Sequence, residues 1–155
     1  MAESLYYFAY GSNMSTQRMK ERLVGYQSRS LGLLHNYELV FNKINHHVKG
    51  AGYANIKPVK GKVVEGIVYE IDKAGIEILD GFEGYPVKYT RKLLPIRNSS
   101  NKNGIKAHVY IAQPEETSEN LMPETIYLQY LLDAKDLLSE AYFYQLESLN
   151  SKIKG

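Results

Sequence analysis

The 155-residue chain contains no cysteine and no tryptophan. Without cysteine it has no disulfide, no thiolate nucleophile and no cysteine-based metal site. Long apolar runs are missing as well, and none approaches the roughly 20 residues a membrane-spanning helix requires. Met1-Ala2-Glu3-Ser4-Leu5 lacks the basic stretch and apolar run of a secretory leader. The expectation is therefore a cytoplasmic protein with no membrane partner. A strong charge bias is absent too: 19 Lys and Arg against 17 Asp and Glu leave a net charge of +2, too mild to name a partner.

What is present is a globular composition, 44% hydrophobic, consistent with one domain over residues 1–155. At this length about 70% of the unfolded chain's surface can be buried, so no covalent staple is needed. The 14 tyrosines against 4 phenylalanines supply apolar area with a polar tip, which suits the wall of a pocket. Between Leu39 and Val64 lie Lys43, Lys49, Lys57, Lys60 and Lys62 with no acidic residue. Arginines and interleaved aromatics of a nucleic-acid site are missing there, so this stretch reads as a solvated lysine-rich face and no nucleic-acid partner is expected. His35, His46, His47 and His108 lack metal-ligand spacing; they read as surface residues, with His46 and His47 on opposite faces of a strand.

Leu5–Ala9 has strand character and is cut off by Tyr10-Gly11-Ser12-Asn13. Ser15 caps a helix from Thr16 to about Leu23, with Met19 and Leu23 on one side. Ser28–Leu34 and Tyr37–Asn42 read as strands about His35-Asn36, Gly50–Ile56 as a third closed off by Lys57-Pro58, and Val63–Ile71 as a fourth. Asp72 caps a short helix reaching Phe82 or Glu83. Tyr89–Arg97 and Ile105–Ala112 form a hairpin across the turn dipeptide Asn103-Gly104. After an acidic loop, Pro123 opens a helix to about Leu138; Ser139 caps the last helix, ending near Asn150, and Ser151–Gly155 is expected to be a disordered tail. Regular βαβ alternation is absent, which points to a mixed α+β domain with a curled or closed sheet.

Two constellations carry chemistry. Ile76, Leu79 and Glu83 are spaced three and four apart on the short helix, so they share a face. The two apolar residues turn that face to the core and set a carboxylate beside apolar neighbours. Desolvation raises such a carboxylate's pKa, as a general base near neutral pH requires. Gly84 behind it allows a sharp turn. Spacing alone leaves two other readings open: Glu83 reaching solvent from a frayed end, or binding a structural arginine such as Arg91.

The second constellation is Tyr10-Gly11-Ser12-Asn13, where a strand ends, glycine permits close backbone approach and a helix soon begins. Exposed N–H groups there suit an anion such as a substrate carboxylate. An ordinary strand-to-helix turn gives the same pattern. It is not a phosphate-binding P-loop, which needs a lysine and longer glycine spacing. Ser12 lacks a nucleophile elbow.

Taken in order, the segments resemble the γ-glutamylcyclotransferase-like family, which includes avirulence-induced plant proteins. Tyr7-Phe8-Ala9-Tyr10-Gly11-Ser12-Asn13 is similar to the family's first signature, and Gly52-Tyr53-Ala54-Asn55-Ile56 to its small-residue strand. Val64-Glu65-Gly66-Ile67-Val68-Tyr69 resembles the strand that follows. Leu79-Asp80-Gly81-Phe82-Glu83-Gly84 resembles the segment holding the catalytic glutamate, and Pro123-Glu124-Thr125-Ile126-Tyr127 the helix start whose tyrosine contacts substrate. Asn55 stands where animal members carry a smaller polar residue, and the loop from Glu83 to Tyr89 is slightly shorter.

The resemblance implies a small β-barrel flanked by helices. It also implies cyclisation of a γ-glutamyl group to 5-oxoproline, with release of an amine or amino acid. Glu83 would be the acid/base, and Tyr7, Tyr10, Gly11, Ser12, Asn13, Tyr89 and Tyr127 would bind substrate. No metal or cofactor is implied; the expected partner is a small γ-glutamyl compound, and a homodimer is an open expectation. Two rival readings are a binding module without chemistry and an amidohydrolase in which Glu83 activates water.

Overall fold

Strand β1 (Ser4–Ala9) opens the described chain. It pairs antiparallel with β3 (Gly52–Asp72) and parallel with β5 (Asn101–Ala112) at Tyr7 and His108. β2 (Ser28–Ile44) joins β3 to β4 (Tyr89–Asn98), and β4 returns to β5, closing a five-stranded mixed barrel in the order β1-β3-β2-β4-β5. This is a computed structural model, and it describes residues 4–99 and 101–154. Among the described residues the helices are α1 (Thr16–Glu21), α2 (Lys73–Glu83), α3 (Thr125–Leu132) and α4 (Glu140–Lys154). None is long and apolar enough to cross a membrane.

The barrel is held open to one large ring by two glycines. Gly32 and Gly66 are register partners on β2 and β3. A Cβ on Gly66 would lie 2.5 Å from the Ala9 carbonyl oxygen and 2.7 Å from Phe8 Cζ, and one on Gly32 would lie 3.2 Å from Phe8 Cδ1. The pair leaves the slot that the buried Phe8 ring fills. Two apolar clusters result: one around Phe8, Leu34, Ile56, Val64 and Ile96, the other around Met14, Met19, Tyr69, Leu79, Leu128 and Leu131, where the helices pack on the barrel.

Several sequence expectations change in the folded chain. The strands expected at Ser28–Leu34 and Tyr37–Asn42 are one strand, as are Gly50–Ile56 and Val63–Ile71. The break signals are real but local: pairing jumps from His35–Val63 to Tyr37–Pro58. Asn36 (φ 67°) and Gly61 (φ 86°) take left-handed conformations there, and Asn36 Oδ1 accepts the Gly61 N–H at 3.0 Å. A bulge of this kind tolerates proline without ending a strand.

The β4–β5 turn falls between Asn98 and Asn101 rather than at Asn103-Gly104. Gly104 (φ 74°) instead lies within β5, near the register shift between Ile96 and Asn98. Leu23 does not pair with Met19. Helix α1 stops at Glu21, Leu23 takes a φ of 61°, and its side chain is 83% exposed.

The helix expected from Pro123 to Leu138 runs only from Thr125 to Leu132, with 3₁₀-type bonds from Ala134 N–H to Leu131 O and Lys135 N–H to Leu132 O tightening its end. Ser139 caps α4 as expected, accepting the Tyr142 N–H at 3.2 Å. That helix continues through Lys154, past the expected end at Asn150, and Gly155 lies outside the described residues.

Candidate active site

At the end of β1 the chain turns through Tyr10 and Gly11 into a 3₁₀ turn, Ser12–Met14. Ser15 then caps α1, accepting the Arg18 N–H at 3.3 Å. The turn is tied down by polar contacts. Tyr69 donates its hydroxyl to the Asn13 carbonyl at 2.7 Å. Asn13 Nδ2 donates to Tyr7 Oη at 2.9 Å, and Arg22 Nη1 donates to Asn13 Oδ1 at 3.1 Å. Asn13 thereby fixes an aromatic ring on one side and a guanidinium on the other.

Helix α2 approaches from the opposite direction. Asp72 Oδ1 caps it by accepting the Gly75 N–H at 2.8 Å, and Ile76 and Leu79 are buried. Gly84 ends it in the left-handed conformation at φ 65°, the geometry a helix terminus commonly requires of glycine. Glu83, on the last turn, keeps a side chain only 19% exposed. Burial pushes its carboxyl up from 4.5 to about 7, against the opposing pull of Arg22, Lys43 and Arg18. The arginine facing Glu83 is Arg22, at 3.9 Å; Arg91 is not its partner, since it pairs with Asp80. Tyr110 also donates its hydroxyl to Asp80, at 2.7 Å, so that ion pair supports the helix and leaves Glu83 facing the cavity.

The remaining wall is built around one main-chain unit. Ala54 on β3 donates its N–H to Tyr127 Oη at 3.0 Å, while Tyr89 donates its hydroxyl to the Ala54 carbonyl at 3.0 Å. Tyr127 comes from α3 and Tyr89 from β4, so two distant elements grip the same residue. Gly11 packs beneath: a Cβ there would lie 3.0 Å from Tyr127 Oη and 3.1 Å from Ala54 Cβ. Burial, reinforced by the Glu83 charge, raises the hydroxyl pKa values of Tyr7, Tyr10, Tyr89 and Tyr127. All four are neutral hydroxyls in this site.

These groups enclose a cavity of about 230 Å³, and Glu83, Tyr7, Tyr10, Gly11, Ser12, Asn13, Tyr89 and Tyr127 all line it. Sequence reasoning missed its cations. Lys43, read as part of a solvated face, is buried at 3% exposure. Its Nζ donates to the Ile44 carbonyl at 2.8 Å and pairs with Glu116 Oε1 at 3.2 Å. A register shift between Val40 and Lys43 disrupts the simple strand alternation. His46 and His47 lie after β2 rather than within a strand, and both border the cavity. Arg18 and Arg22 also border it; their four-residue spacing after the Gly11 turn was the signal available in the sequence.

A model of the family described as gamma-glutamyl cyclotransferase, AIG2-like, matches residues 7–129. The chain belongs to this family. A solved gamma-glutamyl cyclotransferase is 26% identical, with a TM-score of 0.77 over 94% of this chain and 87% of its own. An uncharacterised protein from Homo sapiens superposes with a TM-score of 0.78 at 23% identity, covering 99% of both chains. YkqA from Bacillus subtilis reaches a TM-score of 0.83 at 21% identity, over 96% of this chain but 55% of its own. The last two likenesses are of fold. No curated protein matches the chain. The family match spans both the Gly11 turn and Glu83, and these two segments border one cavity.

Proposed function

We propose that the protein cyclises γ-glutamyl compounds to 5-oxoproline, with Glu83 as the acid/base. The observation that carries this reading is the Glu83 carboxyl, half-buried at the cavity wall and raised to about 7. A group with that pKa accepts and returns a proton near neutral pH, where an ordinary carboxylate is a poor acid.

The substrate's α-ammonium gives a proton to Glu83. The freed amine attacks the γ-carbonyl carbon of the same molecule and a C–N bond forms, closing the ring. The original amide C–N bond breaks as Glu83 returns the proton to the departing nitrogen, and the ring nitrogen's second proton follows through the same carboxylate, so that a neutral lactam remains and the amine leaves as an ammonium. Atoms balance without water or a covalent enzyme intermediate. Because the nucleophile is tethered, holding it in an attack conformation supplies about 7–11 kcal/mol of the barrier. Tyr127 is positioned to serve the developing oxyanion, since its oxygen receives the Ala54 N–H and its proton remains to donate. The Tyr89 proton is engaged by the Ala54 carbonyl, so Tyr89 shapes the wall and accepts rather than donates. Arg22 and the main chain of Gly11 and Asn13 receive the α-carboxylate.

The test is a panel of γ-glutamyl amino acids and γ-glutamylamines, with products read by mass spectrometry for wild type and Glu83→Gln. Wild type is expected to form 5-oxoproline, and the variant to fold normally and form none. Glutamate in place of 5-oxoproline would convert the reading to an amidohydrolase. Retained turnover in Glu83→Gln would remove Glu83 from the mechanism.

A further inference from the structure

Among the described residues, the Lys, Arg, Asp and Glu side chains lining the cavity are basic Arg18, Arg22, Lys43 and Lys88 and acidic Glu83 alone. A γ-glutamyl group brings one carboxylate to this array. Its α-carboxylate and α-amine share a carbon, so an amine presented to Glu83 places that carboxylate beside Arg22, whose Nη1 is 3.9 Å from Glu83. Lys43 is left without a role in holding the glutamyl half. It makes its ion pair with Glu116, not Glu83, and its Nζ sits 5.8 Å and 5.9 Å from the ring centres of Tyr53 and Tyr89. Those aromatic walls, with the Ile44 carbonyl and Glu116, hold a flexible side chain in one place.

We infer that Lys43 determines which leaving group the cavity accepts, its ammonium receiving a carboxylate carried by the departing amine. This rests on the γ-glutamyl reading above. An ammonium has three N–H donors; the Ile44 carbonyl and Glu116 take two, and the third is available to a ligand. His46, whose Nε2 lies 3.0 Å from Glu116 Oε1, shares that carboxylate and so reduces its hold on Lys43. A departing amine that carries a second positive charge meets Lys43 as a like charge, which selects against it. The substrate class is thus γ-glutamyl amino acids or peptides with a free carboxylate, in preference to γ-glutamyl diamines.

The experiment compares γ-glutamyl-alanine, its neutral isostere γ-glutamyl-alaninamide, and γ-glutamyl-1,4-diaminobutane. Turnover is read as 5-oxoproline in wild type, and binding by calorimetry in the Glu83→Gln background. Wild type is expected to favour γ-glutamyl-alanine over its amide by about tenfold or more, with the diamine compound weakest. Lys43→Gln brings the acid-to-amide ratio close to one; because Lys43 also lowers the Glu83 pKa, both rates can move together and the ratio is the readout. Glu116→Gln, which removes the opposing charge but keeps an amide oxygen to accept from Lys43, raises the ratio; it decides the matter if Lys43→Gln does not fold. A wild-type ratio near one, an equal loss on acid and amide in Lys43→Gln, or an unchanged ratio in Glu116→Gln overturns the inference. Absence of 5-oxoproline from every compound would defeat the proposed reaction, while the binding ratios would still decide the role of Lys43.

Discussion

Glu83 and Arg22 face each other at 3.9 Å, close enough to interact by charge and too far for a hydrogen bond. The same Arg22 Nη1 gives its hydrogen bond to Asn13. Arg22 therefore lowers the Glu83 pKa without fixing the carboxylate's orientation, and burial still outweighs it. The carboxyl stays free to turn between two nitrogens of a substrate.

A pH profile follows from this balance. The ascending limb of kcat/KM is expected near the Glu83 value of about 7. Arg22→Met removes the largest opposing charge and is expected to shift that limb alkaline by about half a unit to one unit, with a rise in KM. An unshifted limb in Arg22→Met would show that another group governs the profile.

The raised carboxyl also affects stability. Folded Glu83 holds its proton more tightly than the unfolded chain does, so this contribution is present below the ordinary value of 4.5 and lost as pH rises through about 7. Glu83→Gln escapes the loss. Its stability relative to wild type is expected to increase between about pH 4.5 and pH 8 by on the order of 2–3 kcal/mol. Urea unfolding of both proteins at several pH values measures the difference, and a pH-independent difference would contradict it.

The Ala54 clamp is open to a double-mutant cycle. Tyr127→Phe leaves the Ala54 N–H without its acceptor, at a cost of about 1–3 kcal/mol, and lowers kcat. Gly11→Ala pushes a methyl toward Tyr127 Oη and Ala54 Cβ. Removing the hydroxyl relieves half of that crowding, so the double variant is expected to lose less than the sum of the two by about 0.5 kcal/mol or more. Strict additivity in denaturant unfolding would refute the contact.

Glycines in the barrel and in α2 differ in kind. Gly66→Ala would drive its Cβ into the Ala9 carbonyl and the Phe8 ring and is expected to cost about 1–3 kcal/mol or more. Exposed Gly81 in α2 has nothing within 4 Å of an added Cβ, so Gly81→Ala is expected to stabilise by about 0.5–1 kcal/mol. Thermal unfolding distinguishes the two, and similar shifts in both would refute the packing argument.

Glu83 was legible in the sequence because helical spacing and the family signature converge on it, and Tyr10-Gly11-Ser12-Asn13 because a strand, a glycine and a capping serine follow in order. Lys43 and Leu23 were not. The irregular pairing before Lys43 interrupts the alternation from which strand faces are read. Leu23 has an apolar side chain but sits where the chain leaves α1 through a left-handed residue, so helical spacing no longer applies. The long strands were misread as pairs for a related reason: Pro58 and Gly61 mark a bulge as strongly as they mark a turn, and only cross-strand pairing distinguishes them.

The grip of Tyr127 on the Ala54 amide gives the site a built-in reporter. That N–H exchanges its hydrogen with solvent only when α3 lifts from the barrel wall or the barrel itself opens. Its exchange rate therefore measures how often the cavity comes apart. A ligand that bridges the Gly11 turn and Tyr127 would slow the exchange of a residue whose own side chain is a single methyl group.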